Sequence, residues 1–516
     1  MKKLVVALVV LVVVLAVAPW GVGKVAEQRL DRGLEQLVEV APYLSVVERK
    51  YTPGWFKSEQ VVTFEAFGPL VKALSPKALE DAVASQAESE AADGEAESAE
   101  TTADAETPGD AVEIPEEADE TEEADETPGP ASDLLKAMRF TVRNEVLHGP
   151  VLGLTGFGIA RVDTHLVLDE KIRKELEEAF GSKAPVEVTT RVGFLGGGTT
   201  TFKSEGRTIK PKDSKAEVTW ETFKLAVGYS RNLDDYDIDG KWPKFEFTNH
   251  DDKTHFVMTK MSLDGDGKRV HGDLYDGDFN FAIENLTFVG ASKEKIEINK
   301  TLYAANSETK GEFTGIGVEL GVGEVKNKDL SAMGIEIKEA HYDVSVRRLH
   351  AETLEKVLLE IKSMYAKPLT NTLEASELMF VPLKEHGAEL LKYDPEFVVD
   401  RIGFATAEGD GYIKGVVKLK GATADDFGAG SMGLVGKVHA DITIDVSEKM
   451  VQKFPNGSTS AGAAVDSGYV KREGDRLICK IVFADGELTV NGKPQAIPGL
   501  GGPPPGAMEE APPPQE

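Results

Sequence analysis

The sequence is poor in cysteine, the residue that most often reports a redox compartment or a covalent activity. Cys479 is the only cysteine among 516 residues, so no intramolecular disulfide can form and the compartment cannot be read from cysteine pairing. It lies in the apolar run Leu477–Phe483, with no histidine nearby in the sequence to activate it. We predict that Cys479 is a small buried hydrophobic residue and not a nucleophile.

Positive charge is also scarce. Lys and Arg number 58 against 88 Asp and Glu, which gives a formal net charge of −30. Of these acids, 18 lie between Glu88 and Glu126, a stretch without Lys or Arg, so the rest of the chain carries −12. Such a chain cannot neutralise phosphates in quantity, which argues against nucleic acid as a partner and against tight docking on anionic lipid head groups.

Long apolar runs are limited to the N-terminus, where Lys2 and Lys3 precede the uncharged segment Leu4–Gly23. A helix of this length covers roughly the 30 Å hydrocarbon core of a bilayer. A cleaved signal peptide is the competing interpretation, but Pro19 would then follow the scissile bond. We therefore predict an uncleaved signal-anchor with a cytoplasmic N-terminus. The residues that would contact lipid are Leu4, Leu8, Leu11, Leu15 and Trp20.

Composition divides the chain into segments of different character. An acidic stretch has almost no large apolar side chains, and the C-terminal tail is rich in Pro and Gly, so both are predicted to be disordered. The predicted segments are a transmembrane anchor (1–23), an amphipathic stalk helix (24–42), the start of a β body (43–84), a disordered acidic insertion (85–132), an elongated β-rich body (133–497) with a helical segment (351–395), and a disordered tail (498–516).

Period-two alternation of apolar and polar residues dominates the body, as in Val186–Phe194. Helical spacing is confined to short segments such as Ala351–Ala366, which are too few to cover one face of a large sheet. We predict a mainly β protein with minor α structure, built on a large curved antiparallel sheet that closes, stacks or leaves an apolar trough. Four pairs are predicted to form tight turns: Asp239-Gly240, Asp410-Gly411, Asp485-Gly486 and Asn491-Gly492.

Several motifs match functional patterns only formally. The glycines at 428, 430 and 433 match a dinucleotide fingerprint, but a strand-like segment follows where a helix is needed, so we predict a loop. Asp264–Lys268 resembles a calcium loop with Lys268 at a ligand position, so a hairpin turn is the preferred interpretation. Ser307 and Lys310 have the spacing of a serine acyltransferase pair but have loop-like flanks, and Ser431 lacks a complete nucleophile elbow.

Histidines offer a weak metal hypothesis. His250, His255 and His271 could converge if their segment formed a hairpin, but zinc needs three or four ligands in fixed geometry and nothing in the sequence demands it. We predict no metal, no cofactor and no catalytic residue.

Ordered landmarks point to a family. They are Tyr51-x-x-Gly54-x-x-x-Ser58, Asn144 to Pro150, Arg191 to Phe194, Leu390 to Pro395 and Leu488 to Lys493. In this order the chain resembles the YdgA-like family of uncharacterised bacterial proteins anchored in the inner membrane. The resemblance implies a single-pass protein with its bulk in the periplasm, and it supplies no activity. Within the second landmark, His148, Gly149 and Pro150 are the candidate functional residues, although an imidazole capping the turn at Gly149 and Pro150 is the simpler interpretation.

The leading functional hypothesis is a non-catalytic, membrane-tethered periplasmic scaffold for cell-envelope maintenance, acting through an envelope protein partner or self-association. The alternative is a carrier or binder of lipid, or of another apolar ligand, in a trough of the sheet; an open apolar groove would favour it and a closed, filled sheet would remove it. A hydrolase is the least favoured class, and it would need His148 beside a carboxylate in a cleft.

Overall fold

A computed structural model describes residues 23–39, 41, 43–67, 139–152, 156–168, 170–181, 184–211, 214–332, 334–366, 385–423, 426, 434–454 and 456–496. The predicted anchor residues Leu4 to Trp20, the acidic insertion, the 428–433 glycine motif with Ser431, and the tail lie outside this part of the chain. Among the described residues, no helix is both long enough and apolar enough to cross a membrane.

The described chain is mainly β-structure, as its alternation predicts, and its helices are short. The strands are β1 Leu44–Thr52, β2 Lys57–Ala66, β3 Arg139–His148, β4 Ala160–Val167, β5 Glu187–Val192, β6 Gly198–Ser204, β7 Arg207–Ile209, β8 Ala216–Trp220, β9 Phe223–Tyr229, β10 Asp235–Asn249, β11 His255–His271, β12 Leu274–Val289, β13 Lys295–Lys310, β14 Phe313–Val322, β15 Val325–Asn327, β16 Ile337–His350, β17 Glu396–Thr406, β18 Gly409–Leu419, β19 Val438–Ser447, β20 Lys471–Glu473, β21 Arg476–Ala484, β22 Glu487–Val490 and β23 Lys493–Gln495. The helices are α1 (residues 23–39), α2 Glu170–Phe180, α3 Lys328–Ala332, α4 Ala351–Ala366, α5 (residues 385–391), α6 Glu448–Val451 and α7 Gly457–Asp466.

All 23 strands belong to one antiparallel sheet, which confirms the prediction of a mainly β protein with minor α structure and a large antiparallel sheet. Strands that follow one another along the chain pair with one another, so the sheet is a long meander. Two strands are interrupted: β6 and β7 together pair with β9 and β8, and β14 and β15 lie end to end along β13. Within the described residues no pairing joins β1 to β23, so the sheet is open between its first and last strands.

The register places apolar side chains on one face over most of the sheet. Directly paired residues of antiparallel strands point to the same side. One such transverse row contains, in spatial order, Val188, Phe202, Leu225, Gly240, Leu263, Phe281, Tyr303, Leu320, Tyr342, Ile402, Ile413 and Ile444. The neighbouring row on the other face contains Asp239, Asp264, Asn280, Ala304, Glu319, Asp343 and Arg401. We call the first side the apolar face and the second side the polar face.

A transverse crease crosses the middle of the sheet. Pro243, Lys260, Glu284 and Lys300 lie opposite one another on β10 to β13, and both lysines have positive φ, 51° and 56°. Apolar residues change from even to odd positions of β10 at this line, yet the rings of Trp242 and Phe245 are 5.3 Å apart. Because a left-handed residue rotates the strand out of simple alternation, the apolar face continues across the crease.

Three predicted turns are wrong, and for two of them the apolar face gives the reason. Asp239-Gly240 lies within β10 and Asp264–Lys268 within β11. A methyl group built on Gly267 would lie 2.3 Å from Cε1 of Tyr236, so the glycine leaves room for a cross-strand ring. Asp410-Gly411 is also not a turn, because β18 begins at Gly409, whereas Asp485-Gly486 and Asn491-Gly492 are turns as predicted.

Helices cover the apolar face at both ends of the sheet. Near β3 to β5, Ala26 of α1 is buried in a small core with Val146, Ile159, Ala160 and Val162. Near the other end, Met450 of α6 packs against Gly411 of β18. A methyl group on this glycine would lie 2.7 Å from Met450 Cε. Between these ends, five large apolar side chains on β13, β14, β16 and β17 are 37–45% exposed. We call them the central patch: Tyr303, Ile316, Leu320, Tyr342 and Phe397.

Candidate functional site

The sequence landmarks meet around His148. Ser58 Oγ lies 2.9 Å from His148 Nε2, and Trp55 O lies 3.2 Å from His148 Nδ1. Because a carbonyl oxygen only accepts, Nδ1 carries the proton and the Ser58 hydroxyl donates to Nε2. Ser58 Oγ in turn accepts the backbone N–H of Gly54 at 3.1 Å. The Tyr51-to-Ser58 and Asn144-to-Pro150 landmarks therefore form one hydrogen-bonded unit.

The β2–β3 pairing and helix α1 create this unit. Ser58 lies opposite Val146 in the sheet register, which brings residues 90 positions apart into contact. A methyl group on Gly23 would lie 2.5 Å from Cε1 of His148, so the first turn of α1 rests on the imidazole. Gly149 has no room for a side chain, since a methyl group there would lie 1.8 Å from the Gly158 carbonyl oxygen.

Ser58 and His148 are hydrogen-bonded as in a catalytic serine–histidine pair, but a substrate cannot reach them. Ser58 and His148 are 6% and 3% exposed, and α1 lies over the imidazole. The second nitrogen of His148 binds a main-chain carbonyl of the Trp55-Phe56 turn instead of a carboxylate, and the imidazole does not cap the Gly149-Pro150 turn. The geometry gives these residues a structural role, because they form the surface against which α1 packs.

The histidines considered for zinc do not converge. His250, His255 and His271 contact three different carboxylates, those of Glu217, Glu246 and Glu355. His255 and His271 begin and end the 17-residue strand β11, so they lie at opposite ends of this strand.

The remaining sequence motifs lie in regular strands. Ser307 and Lys310 belong to β13, so their predicted loop is wrong, and a strand cannot provide the helical spacing of an acyltransferase pair. Cys479 is half-buried in β21 and not fully buried, and burial raises the pKa of its thiol, which disfavours the nucleophilic thiolate.

Among the described residues, two polar clusters have the residue types of a metal site; one consists of Glu360, Glu385 and His386, and the other lies on the sheet. Glu319, His341 and Asp343 lie within 4.8 Å of one another on the polar face. Arg401 occupies the same cluster, with Nε 3.1 Å from Asp343 and Nη2 2.8 Å from His341 Nδ1. The guanidinium already supplies the positive charge that a cation would bring, so ion pairing explains the cluster.

The central patch is the feature that individual motifs did not indicate. Its signal in the sequence is weak, because each strand shows ordinary alternation and only the register assembles the residues into one surface. On the other side of the sheet from the patch, the polar face carries acidic residues that include Glu319 and Asp343. Antiparallel sheets commonly bury one face, so an apolar face that is partly exposed in the middle of a sheet is the candidate functional surface.

Comparison with known proteins gives one match. The family model described as "Bacterial protein of unknown function (DUF945)" matches residues 1–498. No curated protein and no solved structure matches the chain.

Proposed function

The chain belongs to the DUF945 family of bacterial proteins of unknown function, and we propose that it binds the acyl chain of a lipid on the central patch of its open sheet. The observation that carries this proposal is the exposure of five large apolar side chains on one face, between two ends that helices cover. The sheet is open and has only one apolar face, which is the arrangement that the carrier hypothesis requires. A closed, filled sheet would have removed this hypothesis.

The dimensions suit an acyl chain. The apolar face extends over nine neighbouring strand positions from β9 to β18, with β14 and β15 sharing one position, which at about 4.8 Å per strand gives a width of roughly 38 Å. One acyl chain spans about 15 Å, half the hydrocarbon core of a bilayer. A chain could therefore lie wholly on the face, with its other side open to solvent, to a second chain or to a membrane.

Location forms the second part of the proposal. The apolar run Leu4–Gly23 after Lys2 and Lys3 supports a single inner-membrane anchor with the body in the periplasm, as in the YdgA-like proteins that the chain resembles. Fusion of a periplasm-active reporter after residue 496 tests this topology: an active fusion is expected, and an inactive one contradicts it.

We propose no catalytic activity, because the best nucleophile–base pair, Ser58 and His148, lies beneath α1. The scaffold hypothesis shares the same surface, since a partner protein or a second copy could cover the central patch. The two hypotheses differ in what accompanies the purified chain.

Mass spectrometry of the full chain purified in mild detergent separates them. Stoichiometric lipid is expected with the unmodified chain and with Leu359→Glu, and its loss is expected with Leu320→Glu. Leu359 on α4 is the matched control, because it is 46% exposed and Leu320 is 44% exposed. A defined protein partner without lipid supports the scaffold, and lipid retained equally by both variants contradicts binding on the central patch.

A further inference from the structure

A second surface lies where α1 meets the sheet. Arg29 and Arg32 of α1 and Arg231 after β9 line a cavity of about 200 Å³ between the helix and the apolar face. The side chains of Arg29 and Arg231 approach one another over Gly196: a methyl group on this glycine would lie 2.8 Å from Arg29 Nη1 and 3.0 Å from Arg231 Cγ. Two arginine side chains therefore meet at one small space, and Arg32 lines the same cavity.

None of the three arginines forms an ion pair within the part of the chain that the structure describes. Arginines elsewhere on the sheet do pair, as Arg347 does with Asp400 and Arg472 with Glu448. Burial and the neighbouring positive charges, first Arg231 and then Arg32, lower the pKa of Arg29. The chain has a net charge of −30, so acidic residues are abundant. A cluster of arginines without a carboxylate partner among the described residues is therefore unusual in this protein and favours an anion from outside the chain.

Gln60, which also lines the cavity, has a donor without a hydrogen-bond partner among the described residues. Gln60 is fully buried, and its Oε1 accepts a hydrogen bond from Asn144 Nδ2 at 2.9 Å. Its Nε2 has no hydrogen-bond partner. A buried donor is costly when it is left unpaired, so this amide favours an acceptor in the cavity.

We propose that this cavity binds an anionic phosphate group, with Arg29 and Arg231 as the principal contacts and Arg32 at the rim. Guanidinium groups bind phosphate oxygens through paired, charge-assisted hydrogen bonds. A volume of about 200 Å³ is below that of pockets for whole drug-sized ligands, so the cavity takes a head group and not an entire lipid. Net charge argues against broad docking on anionic surfaces, but it does not prevent a local site of opposite sign.

The cavity adjoins the apolar face on the side of the central patch where α1 lies. Val192 and Tyr229 line it, and both belong to the apolar face. If the acyl-chain proposal holds, the head group of an anionic phospholipid would bind beside α1 while its chains lie along the sheet. Free phosphate would use the same three arginines without the sheet.

Titration of the full chain in a nonionic detergent tests the site with inorganic phosphate and with short-chain phosphatidylglycerol. Arg29→Gln/Arg231→Gln is expected to weaken binding by about tenfold or more, because charge-assisted hydrogen bonds to phosphate are lost. The matched control Arg347→Gln/Arg472→Gln removes two charges elsewhere and is expected to change binding less than about twofold. Arg29→Lys/Arg231→Lys keeps the charge but loses the paired hydrogen bonds, so it is expected to weaken binding less than the glutamine variant does, which separates loss of charge from misfolding.

The outcomes are distinct. Binding of phosphatidylglycerol alone assigns a lipid head group, and binding of inorganic phosphate as well assigns a general phosphate site; both support the proposal. No binding of either ligand, or equal loss in the control variant, overturns it. An uncharged monoacylglycerol tests the acyl site separately. Leu320→Glu is expected to abolish monoacylglycerol binding and to retain phosphate binding. Arg29→Gln/Arg231→Gln is expected to retain monoacylglycerol binding and to weaken phosphate binding.

Discussion

Binding strength should rise with the length of the acyl chain. Full burial of a methylene group contributes about 0.8 kcal/mol, and a chain lying on an open face buries about half of its surface, or roughly 0.4 kcal/mol per methylene. Lengthening a monoacylglycerol from about 12 to about 16 carbons then contributes about 1.6 kcal/mol, which is about 15-fold in Kd. The face is wide enough that this gain should not level off within natural chain lengths.

Competitive displacement of a fluorescent monoacylglycerol from the full chain measures this gain. Detergent competes equally with every ligand if its concentration is held fixed, so the ratio of affinities remains interpretable. Leu320→Glu places a carboxylate on the apolar face. Because a bound hydrocarbon chain would remove this carboxylate from water, the binding of every ligand should weaken by about 2 kcal/mol or more, roughly 30-fold in Kd. Leu359→Glu should leave the series unchanged. An affinity that does not depend on chain length would refute the reasoning.

Three stability predictions follow from contacts within the sheet. Ser58→Ala leaves His148 Nε2 buried without a partner and should lower the free energy of unfolding by about 1–3 kcal/mol. Gly267→Val brings a side chain against the Tyr236 ring and should cost about 1–3 kcal/mol. Arg476→Met leaves Asp410 and Asp445 without their shared arginine and should cost about 1–2 kcal/mol, whereas Arg347→Met, at an exposed pair, should cost less than about 0.5 kcal/mol. Urea unfolding checks all four variants, and equal stabilities for the two arginine variants would contradict the last prediction.

The fold class could be predicted because period-two alternation is a local property. Strands such as β5, β12, β16 and β19 show it over a few residues, and the shortage of helical segments limits the possible architectures. The Asp-Gly pairs at 239 and 264 failed as turn signals for an equally physical reason. Glycine serves a tight turn by allowing positive φ, but it serves a strand by leaving space, and only the cross-strand neighbour decides between the two.

The surfaces with functional interest depend on contacts that sequence spacing does not contain. The Ser58–His148 hydrogen bond needs β2 and β3 to pair across a long intervening segment. The crease at Lys260 and Lys300 interrupts alternation on β11 and β13 and hides the continuity of the apolar face from any periodicity count. The arginine cluster joins residues of α1 with Arg231, some 200 positions away.

Photo-crosslinking with a diazirine-bearing fatty acid tests most directly whether the central patch holds an acyl chain. Attachment is expected on the strands that carry Tyr303, Leu320 and Tyr342, at side chains of the apolar face, and it should disappear with Leu320→Glu. Attachment to the polar face around Glu319 and Asp343, or labelling spread evenly over the chain, would contradict the account.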